Sequence, residues 1–264
     1  NWFRTAGKKG TTMKIAIITG ASAGLGEEFA RRLKDYFPQV EKVWLIARRR
    51  DRLEALASKL QGLPSEVLPL DLCDKNSFSV LADKLAAEMP QVAVLINNAG
   101  CGYLGDVGQG EMTKQTTMTD LNVTALTAVT HLTIPYMAAG SRIINVSSIA
   151  SFCANAHMTV YSSTKAYVSS FTRGLAYELK GKGIAVTAVC PGPMATEFLD
   201  VGNIKGNSKT FATLPYCDPK KVVAGTLAAA RAGKVFYTPT AFYKFYRCVA
   251  KLLPHAIVVH MAKC

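Results

Sequence analysis

A tyrosine and a lysine with spacing suited to acid–base chemistry, Tyr161 and Lys165, occur in the segment Tyr-Ser-Ser-Thr-Lys. Residues four apart share one face of a helix, so the lysine ammonium can stand beside the phenol. A neighbouring cation favours the phenolate and lowers the pKa of a hydroxyl that is otherwise about 10. The pair is therefore a candidate proton donor and acceptor near neutral pH. Alone, the pattern arises by chance in many helices. It gains meaning from a glycine-rich turn far upstream.

That turn reads Thr-Gly-Ala-Ser-Ala-Gly-Leu-Gly and runs from Thr19 to Gly26, after an apolar strand pattern and before a helical one. Glycines at such a junction let backbone N–H groups and the helix N-terminus approach a pyrophosphate. A glycine turn without a ligand is the alternative, and the flanking strand and helix argue against it. The predicted dinucleotide contacts in this turn are Gly20, Ser22, Gly24, Leu25 and Gly26.

The end of the second strand bears on the choice of cofactor. NAD sites place an acidic residue about 20 residues after the turn, where it binds the ribose 2′-hydroxyl. Here the strand is followed by Arg48 and Arg49, whose guanidinium groups can bind a 2′-phosphate, and Ser22 could add a hydroxyl. In the alternative, both arginines are solvated and Asp51 serves the ribose, although Asp51 suits a helix start better. The pattern favours NADP(H) over NAD(H).

The remaining pattern indicates one α/β domain. The chain has 264 residues, of which 49% are hydrophobic, and β-rich runs alternate with helical ones from Met13 onward, which is typical of a parallel sheet flanked by helices. We predict strands at 14–19, 42–47, 65–70, 92–96, 142–147, 184–189 and 234–237, and helices near 24–36, 51–60, 74–88, 111–138, 157–180 and 218–232. The predicted organisation is a leader over 1–12, a dinucleotide-binding and catalytic domain over 13–238 with a substrate loop at 191–217, and an extension over 239–264.

Composition argues against several classes of protein. No apolar stretch reaches the 18 or more residues of a membrane-spanning helix, and no secretory signal is evident. The seven cysteines are scattered without a Cys-x-x-Cys pair, which indicates reduced thiols, a cytoplasmic location and no metal site. The net charge of +13 raises the question of nucleic acid, but no basic stripe with interleaved aromatic residues is present. We expect no nucleic-acid partner.

With these motifs in this order, the chain closely resembles the short-chain dehydrogenase/reductase family from about Lys14 to Tyr237. The resemblance implies a single-domain, Rossmann-type, doubly wound parallel sheet of about seven strands with helices on both faces. It also implies an oxidoreductase that transfers hydride to and from a nicotinamide. By resemblance, the catalytic residues are Asn122, Ser148, Tyr161 and Lys165. Further cofactor contacts implied by the resemblance are Asp71, Leu72, Asn98, Ala99, Gly100, Tyr161, Lys165, Pro191, Gly192 and Thr196.

The role of each of these residues also has a physical basis that is independent of the resemblance. Ser148 can donate a hydrogen bond that polarises a substrate carbonyl, while Tyr161 delivers the proton. Lys165 lowers the pKa of the phenol and can bond the nicotinamide ribose, and Asn122 can hold a relay water if it kinks its helix. The competing hypothesis is a nucleotide-sensing or protein-interaction module without redox chemistry. Such a module would be expected to lose one of these residues, and all of them remain.

The substrate is predicted from apolar residue types, namely Tyr103, Leu104, Phe152, Cys153, Met158, Met194, Phe198, Phe211 and Leu214. They favour a bulky hydrophobic ketone or secondary alcohol, with a steroid-like or long-chain carbonyl compound as the leading candidate. An apolar stripe recurs in the C-terminal extension at Phe242, Phe245, Tyr246, Val249, Leu252 and Leu253. This helix either packs on its own domain or a subunit, or it borders the cleft or rests on a membrane surface. The resemblance further implies a homodimer or homotetramer built on the helices near 111–138 and 157–180.

Overall fold

The computed structural model describes residues 12–204 and 206–261. The predicted leader, residues 1–12, lies outside the described residues except for Thr12. The prediction that this segment is a leader therefore stays a prediction.

One seven-stranded sheet forms the centre of the molecule, and every neighbouring pair of strands in it is parallel. The spatial order is β3-β2-β1-β4-β5-β6-β7. The strands are β1 (Lys14–Thr19), β2 (Lys42–Ala47), β3 (Ser65–Pro69), β4 (Gln91–Asn97), β5 (Arg142–Val146), β6 (Ala185–Val189) and β7 (Phe236–Tyr237). The order reverses between β1 and β4, so the crevice at their carboxyl ends is where such sheets bind ligands.

Helices cover both faces of the sheet, as the alternating pattern predicts. They are α1 (Gly24–Tyr36), α2 (Arg50–Ala57), α3 (Asn76–Glu88), α4 (Met112–Thr119), α5 (Leu126–Thr133), α6 (Thr159–Lys180), α7 (Glu197–Val201), α8 (Lys209–Thr213), α9 (Pro219–Arg231), α10 (Ala241–Leu252) and α11 (His255–Met261). Successive strand residues point to opposite faces, so Ile18 packs with α1 and α9 in one core layer while Ile17 packs in the other. The single-domain, Rossmann-type α/β prediction is confirmed.

The region predicted as one helix over 111–138 is interrupted. A π-helical turn, Asp120–Ala125, joins α4 to α5, and a short 3₁₀ turn over Ile134–Tyr136 follows α5. The predicted loop over 191–217 also differs from expectation, because it contains the two short helices α7 and α8. Both features border the cleft.

The C-terminal extension returns to the cleft, and its apolar stripe is divided: Tyr246 lines the cavity and packs on Phe152, whereas Phe245 and Leu252 face outward. The buried residues of α10 are Tyr243 and Ala250, which the stripe does not include. Phe242, Phe245 and Leu252 are 51%, 70% and 83% exposed. None of the helices within the described ranges is long and apolar enough to cross a membrane.

Candidate active site

A cavity of about 570 Å³ runs along the carboxyl edge of the sheet, from the glycine turn to the first turn of α10. It brings together nearly all of the predicted site residues. Those in its lining are Gly20, Ser22, Gly24, Leu25, Arg48, Arg49, Asp71, Leu72, Asn98, Ala99, Gly100, Ser148, Tyr161, Lys165, Pro191, Gly192 and Thr196. Gly26 and Asn122 stand behind this lining.

The glycine turn is held in shape by the end of β4. The Asn98 side-chain amide donates to the carbonyl oxygens of Thr19 and Gly20 at 3.0 and 3.1 Å. The Thr19 hydroxyl accepts from the backbone N–H groups of Asn98 and Ala99, each at 3.0 Å. A Cβ atom on Gly26 would lie 2.2 Å from the Gly20 carbonyl oxygen, so only glycine lets α1 start this close to the turn. The turn is therefore rigid before any ligand arrives.

Arg48 and Arg49 lie at the end of the cavity that contains the glycine turn. Arg49 donates through Nε and Nη2 to the Ser22 hydroxyl at 3.3 and 3.0 Å, which places both residues at one spot beyond the turn. Arg48 is exposed on the rim of the same cavity. Asp51 lies in the first turn of α2, away from the cavity lining, which agrees with its expected place at a helix start. The only carboxylates in the described lining are those of Asp71 and Glu197.

Tyr161 and Lys165 lie in the first two turns of α6 on the face that points into the cavity. The Lys165 ammonium donates to the Val146 carbonyl oxygen at 2.8 Å and stands 5.8 Å from the centre of the Tyr161 ring. Burial lowers the pKa of Lys165 to about 8. The Tyr161 ring is nearly buried and meets the Phe198 ring at 5.6 Å between centres. A cation and a phenol thus share one wall of the cavity.

The two serines that follow β5 have separate surroundings. The Ser147 hydroxyl bonds to the Lys165 carbonyl oxygen at 2.9 Å and to the Ser169 hydroxyl at 2.8 Å, so it joins β5 to α6. The Ser148 hydroxyl accepts from the Ala150 N–H at 3.1 Å, which leaves its own O–H to donate into the cavity. This arrangement favours Ser148 as the residue that meets a substrate.

Asn122 lies in the π-helical turn and is buried. Its side-chain nitrogen donates to the Cys101 carbonyl oxygen at 2.8 Å and to the Thr164 hydroxyl at 3.0 Å. Its side-chain oxygen accepts from the Cys101 N–H at 2.9 Å. Both amide hydrogens are therefore used to tie the kinked helix to the segment after β4 and to α6. The expected kink is present, and the side chain acts as a structural anchor beside Lys165.

The other end of the cavity is lined by apolar side chains. Six of the predicted substrate contacts are there: Tyr103, Met158, Met194, Phe198, Phe211 and Leu214. Leu104, Phe152 and Cys153 are not, and the last two instead pack beneath α10 and α11. Phe242 and Tyr246 of the C-terminal stripe also line the cavity, as in the alternative in which this helix borders the cleft. Sequence reasoning missed Tyr243, because helical spacing gives no sign of where a terminal helix docks.

Tyr243 fixes that docking. Its ring is fully buried, and its hydroxyl donates to the Pro215 carbonyl oxygen at 2.6 Å. A Cβ atom on Gly192 would lie 2.2 Å from this ring, so the Pro-Gly segment after β6 and the start of α10 are in direct contact. Among the described residues at this end, Lys165 is the only charged side chain that lines the cavity.

Comparison with known proteins agrees with this geometry. The family model for short chain dehydrogenases matches residues 14–204. Sulfoacetaldehyde reductase 2 of Chromohalobacter salexigens is 33% identical over 231 residues, which cover 86% of this chain and 88% of that protein. A short-chain dehydrogenase from Sphingobium yanoikuyae, solved in complex with NADPH, is 26% identical with a TM-score of 0.76 and covers 92% of this chain and 97% of its own. The bulky-bulky ketone specific alcohol dehydrogenase from Comamonas testosteroni is 26% identical with a TM-score of 0.73, over 93% and 97% of the two chains. The chain belongs to the short-chain dehydrogenase family and is an oxidoreductase.

Proposed function

We propose that this protein interconverts a bulky hydrophobic ketone and its secondary alcohol with NADP(H), and that a steroid-like or long-chain carbonyl compound is the preferred substrate class. The observation that carries the proposal is the apolar end of the cavity beside Tyr161. A substrate there would be surrounded by aromatic and aliphatic side chains from Tyr103, α7, α8 and α10. Such surfaces favour apolar ligands because water leaves both partners on binding.

The residues present fit a dinucleotide. Gly20 and Gly24 of the glycine turn line the cavity where α1 begins, and Ser22 and Arg49 converge where a 2′-phosphate would lie. In reduction, Ser148 donates a hydrogen bond to the substrate oxygen and Tyr161 donates the proton to it. Lys165 holds a positive charge beside the phenol and thereby stabilises the phenolate that remains. The bound nicotinamide supplies the hydride.

The preference for NADP(H) is supported by the two arginines and by the lack of an acidic residue at the end of β2. The relative from Sphingobium yanoikuyae was solved with NADPH, which agrees with the proposal. A titration that compares NADPH with NADH by nicotinamide fluorescence tests it. Tighter binding of NADH by the unmodified protein would contradict it.

A small polar aldehyde is the second candidate substrate, and the similarity to sulfoacetaldehyde reductase 2 favours it. Against it, the only cation among the described residues that line the apolar end is Lys165, which already bonds to the Val146 carbonyl oxygen beside Tyr161, so no second cation is there to bind a sulfonate. Initial rates with NADPH on steroid ketones, long-chain ketones, sulfoacetaldehyde and sugars would decide. Fastest turnover on sulfoacetaldehyde or a sugar would overturn the hydrophobic proposal.

We further propose that the outward face of α10 contacts an anionic membrane surface. Phe242, Phe245 and Leu252 form an exposed apolar strip beside the exposed cations Lys244 and Lys251. Residues 219–264 contain no Asp or Glu, and their basic residues are Lys220, Lys221, Arg231, Lys234, Lys244, Arg247, Lys251 and Lys263. This charge complements anionic headgroups, while the apolar strip complements the acyl boundary.

Sedimentation with phosphatidylcholine vesicles, with and without phosphatidylglycerol, tests the membrane contact. Binding should require the anionic lipid and should fall strongly in Phe245→Glu. The matched control is Val80→Glu, which changes a 51% exposed apolar side chain on α3 in the same way. No binding by the wild type would contradict the membrane contact. Loss of assembly in Phe245→Glu would assign this face to a subunit contact instead.

We also propose a cytoplasmic homodimer or homotetramer in which residues 13–238 form the catalytic domain and 239–264 its extension. The described cysteines Cys73, Cys101, Cys153, Cys190, Cys217 and Cys248 are all unpaired, as expected in a reducing compartment. On α6, Tyr177 is 84% exposed and Tyr167 stacks on Phe171 near the surface, which supports assembly through this helix. Light scattering should show an oligomer that Tyr177→Glu weakens. A wild-type monomer at micromolar concentration would contradict the proposal.

A further inference from the structure

The short helix α7 connects the two ends of the cavity through adjacent residues. Phe198 lies against the ring of Tyr161, whereas Glu197 reaches the arginines at the nucleotide end. The Glu197 carboxylate accepts from Nη1 of Arg49 at 3.0 Å and forms a second, shorter ion pair with Nη1 of Arg52. Hydrogen bonds from Arg52 and Arg49 lower the pKa of this carboxyl, so it is charged at neutral pH. A full negative charge therefore lies beside the proposed 2′-phosphate site.

The guanidinium group of Arg49 contacts both Ser22 and Glu197. Its Nε and Nη2 bond to the Ser22 hydroxyl, and its Nη1 bonds to Glu197. A phosphate bound by Ser22 and Arg49 would compete with the carboxylate for this guanidinium group, and it would meet a like charge at close range. Arg52 does not line the cavity, so it can retain Glu197 when Arg49 turns to another anion.

The segment that carries Glu197 also lies over the glycine turn. A Cβ atom on Gly24 would come within 3.7 Å of the Thr196 side chain. The ion pairs therefore bind the start of α7 across the cleft that a cofactor must enter. Thr196, Glu197 and Phe198 are consecutive. A change in the ion pairs of Glu197 with the arginines therefore acts on the same segment whose Phe198 contacts Tyr161.

We infer that Glu197 is a cofactor-specificity residue: it occupies Arg49 in place of the 2′-phosphate, and NADPH must displace it whereas NADH need not. The inference rests on the proposed preference for NADP(H). The carboxylate thus lowers the affinity for NADPH selectively and ties release of α7 to recognition of the 2′-phosphate. Arg52 keeps the displaced carboxylate close to its original place.

The test is Glu197→Gln, which keeps the size of the side chain and removes its charge. Nicotinamide fluorescence titrations would measure NADPH and NADH, and competition would measure 2′,5′-ADP and 5′-AMP. Exposed ion pairs contribute modestly, so we expect NADPH and 2′,5′-ADP to bind about two- to fivefold more tightly, while NADH and 5′-AMP change little. Salt should diminish the difference between variant and wild type.

Glu54→Gln is the matched control, because Glu54 forms an exposed ion pair with Arg50 on α2 at 3.5 Å and does not line the cavity. It removes the same charge and should leave the ratio of the two dissociation constants unchanged. If the wild type prefers NADH, the proposed cofactor choice is wrong whatever Glu197 does. If the wild type prefers NADPH and Glu197→Gln leaves the ratio unchanged or weakens NADPH, the inference about Glu197 is overturned. An equal effect of Glu54→Gln would likewise overturn it.

Discussion

Raising the pH through 8 should deprotonate Lys165 and so remove its positive charge. Its ammonium is buried with one described hydrogen bond, to the Val146 carbonyl oxygen, and its pKa is lowered to about 8. With that pKa, about 90% of the side chain is protonated at pH 7 and about 9% at pH 9. An ordinary lysine, with a pKa near 10.4, would remain about 96% protonated at pH 9. If the charge stabilises the Tyr161 phenolate, reduction should slow about tenfold between pH 7 and pH 9.

The assay is kcat/KM for NADPH from pH 6 to pH 10 at constant ionic strength, with the most active ketone of the panel, because this parameter reports groups in the free enzyme. The thiol of Cys101 also lines the cavity and interacts electrostatically with Lys165, so it could contribute to the profile. Burial raises its pKa to about 11, above the window of interest. Cys101→Ser should therefore retain the decline near pH 8. A profile that stays flat to pH 9.5 would refute the role given to the buried lysine.

The remaining predictions concern the phenol, the arginine and the stability of the buried charge. Tyr161→Phe should reduce turnover by about 10²- to 10⁴-fold with NADPH binding nearly intact, since only the hydroxyl is lost, and more than a hundredth of wild-type turnover would contradict its role. Arg48→Ala should weaken NADPH by roughly tenfold or more while NADH changes little, as measured by fluorescence titration. Between pH 8 and pH 10 the unfolded chain binds more protons at Lys165 than the folded one does, so stability should rise with pH. Denaturant unfolding of wild type relative to Lys165→Met should show this gain, up to about 3 kcal/mol, and an unchanged difference would contradict it.

The sequence predicts those parts of the fold whose signals are local. The bounds of β1, β2 and α1 agree to the residue. The glycine turn marks the end of β1 and the start of α1, Pro38 follows the end of α1, and the arginine pair marks the end of β2. The placement of Tyr161 and Lys165 on one helix face follows from spacing alone. In the same way, Ser147 could be separated from Ser148 because adjacent residues of a strand point in opposite directions.

The features that sequence reasoning missed or predicted only in part depend on contacts between distant segments. The relay role of Asn122 requires a kink, but the helical pattern predicts one unbroken helix over 111–138. The break is a π-helical turn whose Asn122 bonds to the backbone of Cys101, 21 residues away. No local pattern indicates that contact. The docking of α10 depends likewise on Tyr243, which meets Gly192 and Pro215 across the chain. An amphipathic stripe shows that a helix has an apolar side, but it does not show whether that side faces the core.

Membership of the family predicts the type of reaction but not the substrate, because the residues for the two lie in different parts of the chain. The family match covers residues 14–204 and includes the glycine turn, Ser148, Tyr161 and Lys165. Much of the apolar end of the cavity lies beyond it, at Thr210, Phe211, Leu214, Phe242, Tyr243 and Tyr246. Relatives with the same fold can therefore share the hydride and proton chemistry while they differ in the walls around the carbonyl substituents. For this chain, substitutions in α8 and at the start of α10 should change which substrate is turned over, whereas substitutions of Tyr161 or Lys165 in α6 should change whether any substrate is turned over.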